Sequence, residues 1–560
     1  MEWALDPGLV CLLGPGDATK TTILDAISLV LSPSWRIQAT DADFYKCDTD
    51  SDIVVEATVA NPPTRLIAED ALGLMKRGVA PDGTIINEPT DEAAPALTVR
   101  LRVSADLEPQ WTVCKDGVDE RRITAPQRAM LGLFRLDEQH DTHLTWSRTS
   151  ALAALTGQTE ELSGLLTTAQ REARRAVFDR PNESLQKAAD TVAKQAAAMG
   201  ASAFAGLQPG LDPRATAGGA SLVLHEGDVP ITRHGLGTRR LTSLAVQSTA
   251  IDESAIIIID EVEHALEPHR LYHVLRQLQT RCESGRGQVI LTTHSPLTLE
   301  SLDAEQLHIV RSHSGTTNVM RVPEQIADMK MGEPQKTVRS GPSAMLARRV
   351  VVTEGPTELG LCLGLLDRWD QERGVPVAVV GTAFRNGQGS EAPTKARCLA
   401  ELGYPTLVFL DSDDRGVDEE VHRAENAGAL VARWAEGIAT ESQVAQDLSI
   451  EGLADLLQLA VDMNETDDPL ASVIGAVGAR IDGQNIEELD PAAWITSGAD
   501  EASVRTAIGE AAKGKEWFKS QSRGIRLGRL VSEHWDDLGG TDLRAKLGAV
   551  RDFAYEVAEA

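Results

Sequence analysis

The sequence predicts an α/β protein with more than one domain, and three observations carry that prediction. A short apolar strand, Leu9–Leu13, runs through a Gly-rich turn into a helix starting at about Lys20. A second apolar strand, Ala255–Ile259, ends directly on two acids, Asp260 and Glu261. From Arg349 onward strands and helices alternate as βαβαβ, the pattern of a parallel sheet. A chain of 560 residues exceeds what one hydrophobic core organises, so separate cores are expected.

Along the chain, the first helix is expected to run from about Lys20 to Leu31. Residues 53–123 alternate apolar and polar in short bursts punctuated by Gly and Pro, which predicts an antiparallel sheet. Residues 149–205 are rich in Ala, Leu, Gln, Glu and Arg and read as two helices broken near Arg180, an inserted helical arm for dimerisation. Strands return at Ser221–Leu224, Ala255–Ile259 and Gln288–Leu291. A Pro- and Gly-bearing stretch, 323–345, reads as a linker. Beyond it come strand Val350–Thr353, helix Thr357–Glu372, strand Pro376–Val380, helix Glu391–Leu402 and strand Thr406–Leu410, then a mostly helical remainder. The expected division is therefore 1–148 and 206–322 as the two parts of an N-terminal head, 149–205 as its arm, 323–345 as linker, and 346–560 as a C-terminal domain with a helical extension.

Composition excludes several classes. Hydrophobic residues at 42% and charged residues at 25% are those of a globular chain rather than a disordered or fibrous one. No apolar run approaches the ~18 residues of a membrane span, and the first residues lack a basic, apolar leader pattern. The six cysteines have no CxxC spacing, which argues against a zinc ribbon or disulfide framework and for the reducing cytoplasm. The net charge of −30 prevents nucleic acid from being held by bulk charge. A chain acting on DNA would need local basic patches, or metal ions bridging carboxylates to phosphate.

The segment Gly14-Pro15-Gly16-Asp17-Ala18-Thr19-Lys20-Thr21-Thr22 lies between a strand and a helix, the context of a phosphate-binding loop. There Lys20 reaches the outer phosphates and Thr21 ligates magnesium, with Thr22 and the glycines lining the turn. Thr19 stands where the pattern has its second glycine. Asp260 is placed to hold the magnesium and Glu261 to polarise the attacking water. His294, in Thr292-Thr293-His294-Ser295-Pro296, is placed to sense the γ-phosphate. Between loop and acids lies Gly235-Leu236-Gly237-Thr238-Arg239. Loop, glycine signature, acids and histidine in this order resemble the ABC-type ATPase heads of the SMC kind. That resemblance implies ATP sandwiched between two heads, with Gly235 and Gly237 in the closing signature, and hence a homodimer or higher homo-oligomer.

In the C-terminal half, Glu354 follows the first strand of the βαβαβ unit, and Asp411 and Asp413 follow the third. Right-handed crossovers bring them to one carboxyl edge. Glu358 lies in the first turn of the next helix and can face the same edge. Converging carboxylates repel unless divalent cations sit between them, and an all-oxygen set suits Mg2+ or Mn2+. The pattern resembles a Toprim domain. An ABC-type head followed by a Toprim domain is similar to the OLD (overcoming lysogenization defect) family of ATP-dependent endonucleases and to the nuclease subunit of the Gabija anti-phage system.

This resemblance implies two-metal DNA cleavage in phage defence, with a UvrD-like helicase as a candidate partner. Glu354 and Asp411 would hold one metal, with Glu358 and Asp413 supporting it or holding the second. Trp434–Glu441 resembles the family segment ending in a further acidic ligand, here Glu441. Lys515–Ser520 resembles the catalytic-lysine segment, with Lys519, or else Lys515, neutralising charge on the phosphate. Arg339, Arg348 and Arg349 before the sheet, and Arg523, Arg526 and Arg529 after Lys519, form local basic clusters able to track phosphates. The competing reading is an SMC-like ATPase clamp in DNA repair with a non-catalytic Toprim domain.

Overall fold

The computed structural model describes residues 1–34, 37, 39–136, 143–146, 150–156, 183–201, 206–211, 222–250, 255–285, 287–412, 415–435, 437–481 and 488–556. The chain divides into two compact units, Met1–Arg321 and Val322–Ala560. Among the described residues no helix is long and apolar enough to cross a membrane.

Unit 1 is organised by a six-stranded sheet ordered Thr316–Arg321, Leu307–His313, Leu9–Leu13, Gln288–Thr292, Ile256–Ile259, Leu133–Leu136. The last five strands are mutually parallel, and the first returns antiparallel as a hairpin. All five residues of Leu9–Leu13 are buried, because a parallel sheet covered on both faces selects continuous apolar runs. Helix Pro268–Glu283 buries Leu271, Val274, Leu275 and Leu278, a single stripe at helical spacing.

The antiparallel sheet expected over 53–123 forms from Ile53–Ala60, Arg77–Val79, Ile85–Ile86, Ala94–Val103, Pro109–Lys115 and Val118–Arg122. Its Leu97, Val99, Leu101, Trp111 and Val113 pack with Leu31 and Phe44. Helix Glu183–Ala198, the longer of the two described helices in the expected arm, turns Leu185, Ala189, Val192 and Ala196 inward. Leu185, Ala189 and Val192 join the core of Leu144, Trp146, Leu152, Leu224, Ile231 and Val246. One amphipathic face finds its apolar partner in the head itself, so this helix belongs to the head's core. The expected break near Arg180 lies outside the described residues, as does Ser221.

Unit 2 has a four-stranded parallel sheet ordered Thr382–Asn386, Arg349–Thr353, Thr406–Leu410, Leu430–Arg433. One expected strand is corrected. Val377–Val380 forms a short helical turn, capped where Asp370 Oδ1 accepts the Val377 N–H at 2.9 Å and ended by Gly381 at φ +82°. Four apolar residues between a proline and a glycine are too few for periodicity to separate helix from strand.

The expected linker is also corrected. Residues 323–345 belong to unit 2 and contain helix Glu333–Ser340, whose Thr337 and Val338 are buried. Arg385 donates to the Thr337 carbonyl at 3.2 Å and to Ser340 Oγ at 2.9 Å. Gly332 and Gly341 therefore bound a helix rather than marking a coil. The remainder is helical as expected, and the loop-rich patch begins at 482–487, outside the described residues.

Two helices of unit 2 meet backbone to backbone. On helix Pro356–Arg373, a Cβ at Gly360 would lie 2.5 Å from the Gln521 carbonyl oxygen, and one at Gly364 would lie 2.4 Å from that of Ile525. On helix Gln521–Glu533, a Cβ at Gly528 would lie 2.4 Å from the Leu361 oxygen. Paired glycines four apart on both helices make this crossing possible. It joins the helix that opens with Glu358 to the helix that follows Lys519.

Candidate functional site

In unit 1 the strands Leu9–Leu13, Ile256–Ile259 and Gln288–Thr292 run parallel and adjacent, so the segments after them share one sheet edge. A Cβ on Gly14 would sit 2.5 Å from the Val310 carbonyl oxygen, so the loop can leave the strand only through glycine. Gly16 is exposed, with no heavy atom within 4 Å of a Cβ position.

Lys20 is 6% exposed and donates to the carbonyls of Gly14 at 3.0 Å and Pro15 at 2.9 Å, folding over the loop it serves. Burial pushes its ammonium below the usual range, against the pull of Asp260, Glu261, Asp17 and Glu263. Thr21 Oγ1 donates to Asp260 Oδ1 at 3.5 Å, which brings together the two expected magnesium groups. Thr22 is exposed on the next position.

The two acids are positioned by residues to which the motifs assigned no role. Thr292 Oγ1 donates to Asp260 Oδ1 at 2.6 Å and accepts the Glu261 N–H at 2.8 Å. Buried Arg240 donates to the carbonyls of Asp260 at 2.8 Å and Glu261 at 2.5 Å. Glu261 itself takes a left-handed backbone, φ +46°, with its side chain half exposed. His294 is exposed, and its N–H donates to Glu263 Oε1 at 2.5 Å. Glu263 also accepts from Thr293 Oγ1 at 2.8 Å, which makes it the anchor of that turn. Gly237 is needed for packing, since a Cβ there would lie 2.7 Å from the Ala265 oxygen, whereas the Cβ position at Gly235 is open. Arg240 sits one residue past the signature, and Thr292 is the first residue of the histidine segment. Their types are legible in the sequence, but their partners are not.

Thr19 adopts φ +63°, the left-handed region the missing glycine would occupy freely, and its Oγ1 lies 2.9 Å from Thr317 Oγ1. A non-glycine residue there costs ~1–2 kcal/mol. In Thr19→Gly, strain relief and the lost hydrogen bond offset each other in the free protein. The gain is expected in nucleotide affinity, because glycine at this position of the expected phosphate-binding loop would allow closer backbone approach to a phosphate. ATP should bind about fivefold tighter, ~1 kcal/mol, in a fluorescent-nucleotide titration; unchanged or weaker binding would refute this.

In unit 2, Glu354 and Asp411 lie at adjacent strand ends. The Glu354 N–H donates to the Phe409 carbonyl at 2.8 Å, and the Asp411 N–H donates to Glu354 Oε2 at 2.9 Å. Glu358 is buried and accepts the Gly355 N–H at 2.9 Å. Burial pushes its carboxyl up to about 7, and like charge on Glu354 and Glu441 adds to the rise against hydrogen bonding from Thr440. Glu354, Glu358 and Glu441 are therefore within electrostatic reach of one another.

Ser412 ties the Glu441 segment to the Asp411 loop. Its N–H donates to the Ile438 carbonyl at 3.1 Å, its Oγ accepts the Ile438 N–H at 2.9 Å, and that Oγ also donates to the Ala435 carbonyl. Asp413 lies outside the described residues. Among the described residues no group of three or more His, Cys, Asp or Glu side chains closes into a ligand set. The donor chemistry nevertheless fits a hard divalent cation: the side chains are all carboxyl groups, and burial pushes one of them, Glu358, up to about 7.

Lys519 is 62% exposed at its side chain and pairs with Glu516 at 3.0 Å. The buried neighbours Trp517 and Phe518 anchor its turn, and Thr357 Oγ1 donates to the Phe518 carbonyl at 3.2 Å, beside Glu358. Lys515 ends the preceding helix. The expected basic clusters are only partly surface features. Arg349 is buried and donates to the Phe553 carbonyl and to Glu556, both at 2.8 Å. Arg523 pairs with Glu465 at 3.1 Å and Arg526 with Asp462 at 3.8 Å, while Arg339, Arg348 and Arg529 are exposed.

A family model described as "AAA domain, putative AbiEii toxin, Type IV TA system" matches residues 162–300, the stretch holding the signature, Asp260, Glu261 and His294. An OLD nuclease of Thermus scotoductus is 25% identical over 457 residues, covering 74% of this chain and 81% of that protein. Among solved structures, an SMC head bound to the C-terminal winged-helix domain of ScpA is 17% identical with a TM-score of 0.34, covering 56% of this chain and 89% of that one. An SMC head with an extended coiled coil from Pyrococcus furiosus is 14% identical with a TM-score of 0.33, covering 56% and 90%. By sequence similarity along 74% of its length, the chain is a homologue of an OLD nuclease, and it carries an AAA-type ATPase domain.

Proposed function

We propose that this chain is a nucleotide-regulated, metal-dependent DNA endonuclease with a Toprim site, acting in anti-phage defence in the cytoplasm. The observation that carries the reading is the hydrogen bond from the Asp411 amide to the Glu354 carboxylate, which brings two strand-end acids to one point of the sheet edge. Glu354, Glu358, Asp411, Asp413 and Glu441 would hold Mg2+ or Mn2+. A bound divalent cation lowers the pKa of its water and stabilises the attacking and leaving oxygens. The chain's own residues orient that site through Ser412 and the Gly355 amide. Lys519 offers a cation to charge developing on the phosphate.

In the head, Lys20, Thr21 and Asp260 would bind ATP with magnesium and Glu261 would polarise water. The open Gly235 and the half-exposed Leu236 support a second head closing over the nucleotide, hence a homodimer or higher homo-oligomer. The toxin description of the matching family supports a defence role, and a UvrD-like helicase is the partner that the sequence resemblance to Gabija implies.

The test is plasmid cleavage with Mg2+ or Mn2+ across an ATP titration. Wild type should cut, and its rate should respond to ATP. Lys20→Ala should cut with metal alone yet lose the response. Glu261→Gln should bind ATP, hydrolyse it slowly and hold one cleavage rate. Identical, ATP-independent curves for all three would refute nucleotide regulation, and metal-independent cutting would refute the site.

A further inference from the structure

Lys395, in helix Ala392–Glu401, is completely buried, with 0% exposure, and belongs to no motif of either site. Taking an ammonium out of water costs several kcal/mol unless its donors are all met. An ammonium has three donors, and here three acceptors answer them: the Gly387 carbonyl at 2.8 Å, Gln388 Oε1, and Glu391 Oε2 at 3.0 Å. All three lie in one turn, residues 387–391, directly after strand Thr382–Asn386.

That turn is also stitched to the inner strand Arg349–Thr353, which Glu354 directly follows. The Gly387 N–H donates to the Thr353 carbonyl at 2.7 Å, and the Gly389 N–H donates to the Glu354 carbonyl at 2.8 Å. The turn cannot hold this shape by local preference alone. Gln388 takes φ +68°, a left-handed conformation unfavourable to its side chain. A Cβ on Gly387 would lie 2.6 Å from the Thr353 oxygen. A strained turn that donates to the Thr353 and Glu354 carbonyls, one on each side of the Glu354 Cα, is thus held from behind by one buried cation.

We infer that Lys395 is a positioning residue, which clamps the 387–391 turn and thereby fixes Glu354 for a divalent cation. The inference rests on the metal-site reading above. Lys395 touches neither metal nor DNA, so its loss should weaken metal affinity rather than remove a reacting group.

The experiment is Mn2+ binding to the full chain without nucleotide, read as loss of the free-ion electron paramagnetic resonance signal, with melting temperatures recorded alongside. Wild type should bind and Glu354→Gln should not. Lys395→Met and Lys395→Gln should bind about tenfold more weakly or worse, as is typical when support of a ligand is removed. Lys395→Arg, which keeps charge and donors, should recover most of the affinity. Should Lys395→Met fail to fold, Lys395→Gln carries the comparison. A folded Met or Gln variant binding within about twofold of wild type, or an Arg variant as weak as Met, overturns the inference while leaving the metal site standing. Wild type that binds no Mn2+ and cuts no DNA removes the site itself, and the inference with it.

Discussion

Glu354→Gln is expected to lower metal-dependent DNA cutting on the order of 10³-fold or more while leaving the fold intact. The substitution removes the carboxylate that the sheet edge shares with Asp411 and keeps its shape. Its amide oxygen can still accept the Asp411 N–H, which reaches Glu354 Oε2 at 2.9 Å. Glu354 is one of the like charges raising the Glu358 carboxyl, so neutralising it relieves repulsion. Unfolding free energy should therefore stay within ~1 kcal/mol of wild type or rise. Activity lost together with stability would mean that the residue is structural. Undiminished cutting by Glu354→Gln and Asp411→Asn would take the metal site away from this edge.

Gly528→Val is expected to destabilise unit 2 by about 3 kcal/mol or more. The new Cβ would lie 2.4 Å from the Leu361 oxygen and 2.9 Å from the Gly364 Cα, both backbone atoms of helix Pro356–Arg373. Backbone cannot swing aside as a side chain can, so the two helices must separate. Buried Trp369 and Trp535, whose rings are 6.5 Å apart edge to face, give a fluorescence readout in a urea titration. The control is Gly548→Ala, in helix Asp542–Ala554, where a Cβ meets nothing within 4 Å. That change should stabilise by up to ~1 kcal/mol through helix propensity. Equal effects from the two substitutions would show that the close crossing does not matter. Separation would also shift Glu358 and Lys519, each carried at or beside the start of one of the two helices.

The division between what sequence and structure decide follows from the range of the interactions. Leu9–Leu13, Ile256–Ile259, Val350–Val352 and Leu407–Leu410 were legible because a strand buried on both faces is apolar along its covered length. The loop, the Asp260–Glu261 pair, Glu354 and Asp411 were legible because parallel crossovers send the segments after such strands to one edge. Local patterns failed where they were too short or where packing overrode them. Val377–Val380 coils into a helical turn, the 323–345 stretch folds as part of unit 2, and Arg349 is buried under the C-terminal helix.

The sequence by itself therefore determined which chemistry the chain carries and at which strand ends. Only the tertiary structure decided what holds that chemistry in place: Arg240 on two carbonyls about twenty residues away, Thr292 on Asp260 and Glu261, Ser412 on Ile438, and the glycine pairs of two helices more than 150 residues apart. A hydrogen bond or a backbone crossing constrains both its ends at once. Neither end alone, read along the chain, differs from an ordinary surface arginine, threonine, serine or glycine.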